Sequence, residues 1–114
     1  MEISFSDGKL EKECNDEKLL LRRHGKDRAK RIKLRLAVLR NAATLSAIGL
    51  PYVGPCRCHE LGNDRAGQLS VDLDHPYRLI FIPDHDPVPM LAAGGLDWSK
   101  VTAIKIIEIV DTHG

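Results

Sequence analysis

The pattern of apolar and polar positions divides the chain into a helical first part and a strand-rich second part. Ile3-Ser4-Phe5 alternates over a short stretch and predicts a first strand. Asp7 is placed to cap a helical piece through Leu10 to Cys14. Asn15-Asp16 is placed to cap a second helix, with Glu17 in its first turn and Leu19-Leu20-Leu21 following. Gly25 breaks or bends that pattern. From Asp27 onward Ala29, Ile32, Leu36 and Leu39 recur at spacings of three and four, the spacing of one buried helix face. Two helices joined near Gly25 form a helical hairpin. Thr44 caps one more short turn, Leu45 to Ile48, before Gly49-Leu50-Pro51 ends helical structure.

From Tyr52 the pattern changes. Gly54-Pro55 leads into Cys56-Arg57-Cys58-His59-Glu60-Leu61, followed by the turn signal Gly62-Asn63-Asp64. Gln68 to Leu73 alternates as a half-buried strand should, Asp74-His75-Pro76 reads as a turn, and Tyr77 to Ile82 reads as the next strand. Pro83, Pro87, Pro89 and the pair Gly94-Gly95 mark a long surface loop. Leu96 to Lys100 is a short docking turn in which Trp98 anchors that loop to the core. Val101 to Val110 is the most apolar run, with Lys105 and Glu108 its only charges, and predicts a strand covered on both faces in the middle of a sheet. Helices first and strands afterwards predict an α+β fold, with the hairpin on one face of a mainly antiparallel sheet of four to five strands.

A chain of 114 residues predicts one domain, 1–114, with enough length to bury a core without staples. No stretch approaches the ~18 apolar residues of a membrane span, and Met1 to Phe5 lacks the basic-then-apolar order of a signal peptide, so the expected location is the cytoplasm. Three cysteines, an odd number, argue against a secreted disulfide framework. The net charge of +1 hides a segregated chain, because residues 22–40 hold nine Lys and Arg against one acid, Asp27. Such a concentration suggests an anionic partner, nucleic acid or an acidic protein, and the bland alternative is a solvated face. The cations that would meet phosphate are Arg22, Arg23, Lys26, Arg28, Lys30, Arg31, Lys33 and Arg35, with Arg57 and Arg65 from the second part.

Candidate chemistry gathers around the strands. Where the last strand stops, Asp111 and His113 appear two residues apart and could share one face. His59 lies on an earlier strand edge. Two histidines can supply the base and acid of phosphoryl transfer to a neighbouring hydroxyl, because imidazole titrates near neutral pH. Cleavage of RNA by this route needs no metal, only a base at the 2′-OH, an acid at the leaving oxygen and cations on the phosphate. Arg78, inside an apolar strand, is the natural cation. The structural alternative pairs Arg78 with Asp111 or Asp72. Cys56, Cys58 and His59 also invite a zinc reading, but no second ligand pair follows. Strand spacing would put both thiols on one face and His59 on the other, which favours a buried pair of cysteines. His24, His75 and His85 lie among turn or charged residues and are expected at the surface.

Three motifs carry a resemblance. Cys58-His59-Glu60-Leu61 with Asp64-Arg65-Ala66-Gly67 is close to an H-E-L-x-x-D-R-x-G block, Tyr77-Arg78-Leu79-Ile80-Phe81 matches a Y/W-R-L-x-F strand, and Glu108 to His113 is similar to a closing acidic-D-Y-H. Together they resemble the HigB-type toxins of the RelE/ParE superfamily, the plasmid maintenance system killer proteins, over essentially the whole chain. The resemblance implies a compact RelE-like fold and, within a type II toxin–antitoxin system, a ribosome-dependent endoribonuclease that cuts mRNA in the A site by 2′-OH attack, without a cofactor. It implies growth arrest on expression, neutralisation by a HigA-like helix-turn-helix antitoxin, and contact with DNA only through that antitoxin. By position, His59 and His113 would be acid/base residues, Asp111 would support the histidine, Arg78 would stabilise the phosphate charge, and the basic helix would hold ribosomal RNA. Two positions depart from the family pattern: Gly62 where many relatives have Lys, and Thr112 in place of the usual Tyr. These departures carry the alternative of a catalytically weakened RelE-fold module that binds its antitoxin without cutting RNA. A gyrase-directed toxin of the ParE branch is disfavoured by the histidine pair.

Overall fold

The structure, a computed structural model, describes residues 1–111, so Thr112 and His113 of the closing motif lie outside the described residues. Strand β1 (Glu2–Phe5) is followed by helices α1 (Gly8–Asn15) and α2 (Glu17–Asn41), then by β2 (His59–Glu60), β3 (Leu69–Asp72), β4 (Tyr77–Pro83) and β5 (Ala103–Asp111). Short 3-10 turns cover Leu45–Ile48, Asn63–Arg65 and Trp98–Lys100. The strands form one sheet in the order β1-β5-β4-β3-β2, with β1 parallel to β5 and every other pairing antiparallel. This is the expected α+β architecture, with the helices against one face of a mainly antiparallel sheet.

The helix starts are fixed by the carboxylates that the sequence offers. Asp7 Oδ1 accepts from the Leu10 amide at 2.8 Å, and Asp16 Oδ1 accepts from the Lys18 and Leu19 amides at 2.9 and 3.2 Å. Gly25 interrupts α2 with φ 79° and ψ 168°, a left-handed φ that glycine adopts without strain. Leu20 before this bend and Ala29, Ile32, Leu36 and Leu39 after it are all buried. They pack with Leu69, Val71, Leu79, Phe81, Ile104 and Ile106, which alternate along three strands toward the helices.

Two strand environments differ from expectation. β5 lies inside the sheet but is fully buried on one side only: Ile104 and Ile106 are buried, whereas Lys105 and 107–111 are half-buried. β3, expected to be half-buried, has Leu69, Ser70 and Val71 all buried. The reason is a connection rather than a periodicity. Arg65, in the β2–β3 connection, reaches Glu108 of β5 at 2.6 Å, so this segment folds over the sheet face opposite the helices and closes β3 from both sides. No helix among the described residues is long and apolar enough to cross a membrane.

Candidate functional site

The strand register assembles a polar row on the sheet face away from the helices. His59 pairs with Ser70, Ser70 with Ile80, and Ile80 with Glu108, so these four side chains share one row and one face. Two residues further along, Asp72 pairs with Arg78 and Arg78 with Val110. Since alternate residues of a strand share a face, His59, Ser70, Asp72, Arg78 and Glu108 all project from the same side.

His59 is only 6% exposed. Its Nδ1 is 2.9 Å from the Arg57 carbonyl oxygen, and a carbonyl can only accept. A neutral ring therefore carries its proton on Nδ1 and leaves the Nε2 lone pair available, the form a general base requires. One face of the imidazole is stacked on Tyr52, with ring centroids 4.2 Å apart and planes inclined by 14°.

Arg78 and Arg57 flank a single carboxylate. Arg78 Nε is 3.5 Å from Asp72 Oδ1, and Arg57 Nε is 3.6 Å from Asp72 Oδ2. Two guanidinium groups on one carboxylate leave a local excess of positive charge, which suits a phosphate. Neither pair is a short hydrogen bond. Asp72 Oδ1 and the buried Ser70 hydroxyl are both without a hydrogen-bond partner among the described residues. Buried polar atoms are usually paired, and these two lie two residues apart on the face that carries His59 and Arg78.

The register does not bring Asp111 to this cluster. It pairs with Tyr77, one residue out of phase with the Arg78–Val110 pair, and so belongs to the helix-side face. The expected orienting or supporting of a histidine by Asp111 is thus not directed at His59, and His113 lies outside the described residues.

Cys56 and Cys58 are buried in the apolar core, but their separation from His59 does not come from a strand. Arg57 between them has φ 45°, and β2 begins only at His59. Desolvation by burial pushes the Cys58 thiol up to about 12 and raises that of Cys56 as well, so both stay protonated at neutral pH. Protonated thiols in a core match the buried-pair reading. No group of three possible metal ligands is gathered among the described residues.

The basic residues divide into two sets. Arg35 is buried in α2: its Nε donates to the Asp72 carbonyl at 2.7 Å and its guanidinium to the Pro55 carbonyl at 3.1 Å. Arg28 makes a forked pair with Asp74 at 2.9 and 3.1 Å and lies 3.4 Å above the Tyr77 ring. Desolvation works against ionisation of Asp74, yet the hydrogen bond and charge of Arg28 hold its carboxyl below the ordinary range. Arg28 and Arg35 were expected on an RNA-facing surface; both instead stitch α2 to the sheet and its loops. Lys33 pairs with Glu17, Arg23 with Glu13 at 3.5 Å, and Arg65 with Glu108. Arg22, Lys26, Lys30 and Arg31 are exposed and make no ion pair among the described residues. His24 and His85, expected at the surface, are half-buried: His24 meets Glu13 at 2.5 Å, and His85 Nε2 accepts from the Thr102 and Ala103 amides.

The sequence offered Asp72 only as a structural partner and gave no sign of Ser70 or Tyr52. The polar positions of Gln68 to Leu73 could have pointed to the first two. Nothing local could have found Tyr52, which reaches His59 from an irregular loop.

No protein-family model matches the chain, and no curated protein matches it. Among solved structures it is similar to a chain of the YoeB-YefM complex from Staphylococcus aureus, with a TM-score of 0.51 and 18% identity over 96% of this chain and 93% of that one. At that identity the likeness establishes a shared fold.

Proposed function

We propose that this chain is a single-domain cytoplasmic toxin of a type II toxin–antitoxin pair, acting as an endoribonuclease on ribosome-bound mRNA. The observation that carries the reading is the placement of His59 and Arg78, from β2 and β4, on one face, the one away from the helices, of a sheet shared with a member of a YoeB-YefM complex. In this reading His59 Nε2 takes the proton of a 2′-OH, whose oxygen attacks the adjacent phosphorus. Arg78 and Arg57 balance the charge on the non-bridging oxygens. His113, as imidazolium, protonates the 5′-oxygen as the P–O bond breaks, leaving a 2′,3′-cyclic phosphate. Asp111, two residues before His113, would orient or support that histidine. The exposed Arg22, Lys26, Lys30 and Arg31 serve ribosomal RNA, and a HigA-like helix-turn-helix antitoxin is the neutralising partner.

Expression in cells should arrest growth and produce new 5′ ends at A-site codons in primer extension, and Arg78→Ala should abolish both. Full toxicity in Arg78→Ala would remove the site. A second reading, a RelE-fold module that binds its antitoxin without cutting RNA, is favoured by the 6% exposure of His59 beneath Tyr52. Its signature is antitoxin binding with no new A-site ends.

A further inference from the structure

Tyr52 stacks on His59 of the polar row, and its setting is unusual in three respects. It is 58% exposed although one ring face is covered by the His59 imidazole, so its exposure belongs to the opposite face and the edge. Its backbone has φ 64°, a left-handed conformation that is uncommon and strained for a bulky residue. That conformation is held by its amide, which donates to the Cys58 carbonyl at 3.0 Å and ties the loop back over the start of β2. The backbone is thus fixed in a costly conformation that keeps a flat ring parallel to His59 and open to solvent. Leu50 and Val53, 73% and 55% exposed, supply an apolar rim on the same loop.

We propose that Tyr52 is a base-stacking platform: the outer face of its ring receives one base of single-stranded RNA, as the third layer of a His59–Tyr52–base stack. The inference rests on the proposed function and deepens it by naming how the substrate is held next to the scissile bond. A base is favoured over an apolar side chain because the His59 ring beneath Tyr52 is held by the carbonyl of a cationic residue, Arg57. Arg57 follows in the same loop and shares Asp72 with Arg78, so a phosphate on these guanidinium groups is attached to a base within reach of Tyr52. Every base has a π-face, so the platform selects unpaired RNA rather than a sequence. Tyr52 is a binding residue here; it also shields the imidazole whose Nε2 the chemistry uses.

The test uses the full chain and two non-cleavable 2′-O-methyl oligomers of equal length, one bearing bases and one fully abasic, with affinity read by fluorescence anisotropy. The wild type should bind the base-bearing oligomer about tenfold more tightly than the abasic one. Tyr52→Leu should lose that preference while binding the abasic oligomer as before, and Tyr52→Phe should keep it. Equal wild-type affinity for both oligomers overturns the platform without relying on any variant, and so does a Tyr52→Leu protein that retains the preference. A wild type that cuts ribosome-bound mRNA yet shows no preference leaves the proposed function standing and removes only the platform. One that shows the preference but makes no A-site ends does the reverse.

Discussion

The two faces of the sheet are built to opposite rules. Toward the helices, Leu69, Val71, Leu79, Phe81, Ile104 and Ile106 fill the space with apolar side chains at 0–1% exposure. Toward the other side, the same strands present Ser70, Asp72, Arg78 and Glu108, together with His59 of β2, and two of these carry buried polar atoms with no hydrogen-bond partner among the described residues. One face is satisfied within the chain; the other is left with donors, acceptors and charge that a ligand can complete. Residues of the first face should therefore control stability, and residues of the second should control activity at little cost to stability.

The largest effect should come from breaking the filled face. Phe81→Ala, at a fully buried position, should cost about 3–5 kcal/mol in urea unfolding. Arg35→Ala comes next, at about 2–3 kcal/mol, because it strands the Asp72 and Pro55 carbonyls that the guanidinium now satisfies. Asp74→Asn should cost about 1 kcal/mol near neutral pH by removing the forked pair with Arg28. The sign of its pH dependence follows from the lowered Asp74 pKa. The contribution is complete above the ordinary carboxyl value of 3.8 and is lost as pH falls through the lower folded value, so wild type and variant should converge in acid. The smallest change in stability, under about 1 kcal/mol, is expected for Arg78→Ala, whose ion pair is long. If Arg78→Ala instead unfolds the protein, the polar face is structural and the contrast between the faces fails.

Local signals carried the fold well. Helix caps at Asp7 and Asp16, the bend at Gly25 and the Ala29–Ile32–Leu36–Leu39 face all depend on neighbours within a turn or two. Burial of β3 and β5 was exchanged because it depends on a connection that crosses the sheet, which no strand period encodes. Arg35 was misjudged by residue type, although its spacing from Ile32 and Leu39 put it on the buried stripe. The placement of Asp111 required the strand register, including the irregularity beside Ile80 and Phe81. Side-chain identity alone nominated His59 and Arg78; their shared face emerged only from the pairing of β2, β3 and β4.

The sheet ends in very short strands on both sides, four residues in β1 and two in β2. An unpaired strand edge is a template for another chain, and shortness is among the ways proteins disarm it. Here the two flanks offer too few consecutive amides and carbonyls to seed a cross-chain ladder. A polar sheet face can thus be kept for a ligand while the protein resists self-assembly through its margins.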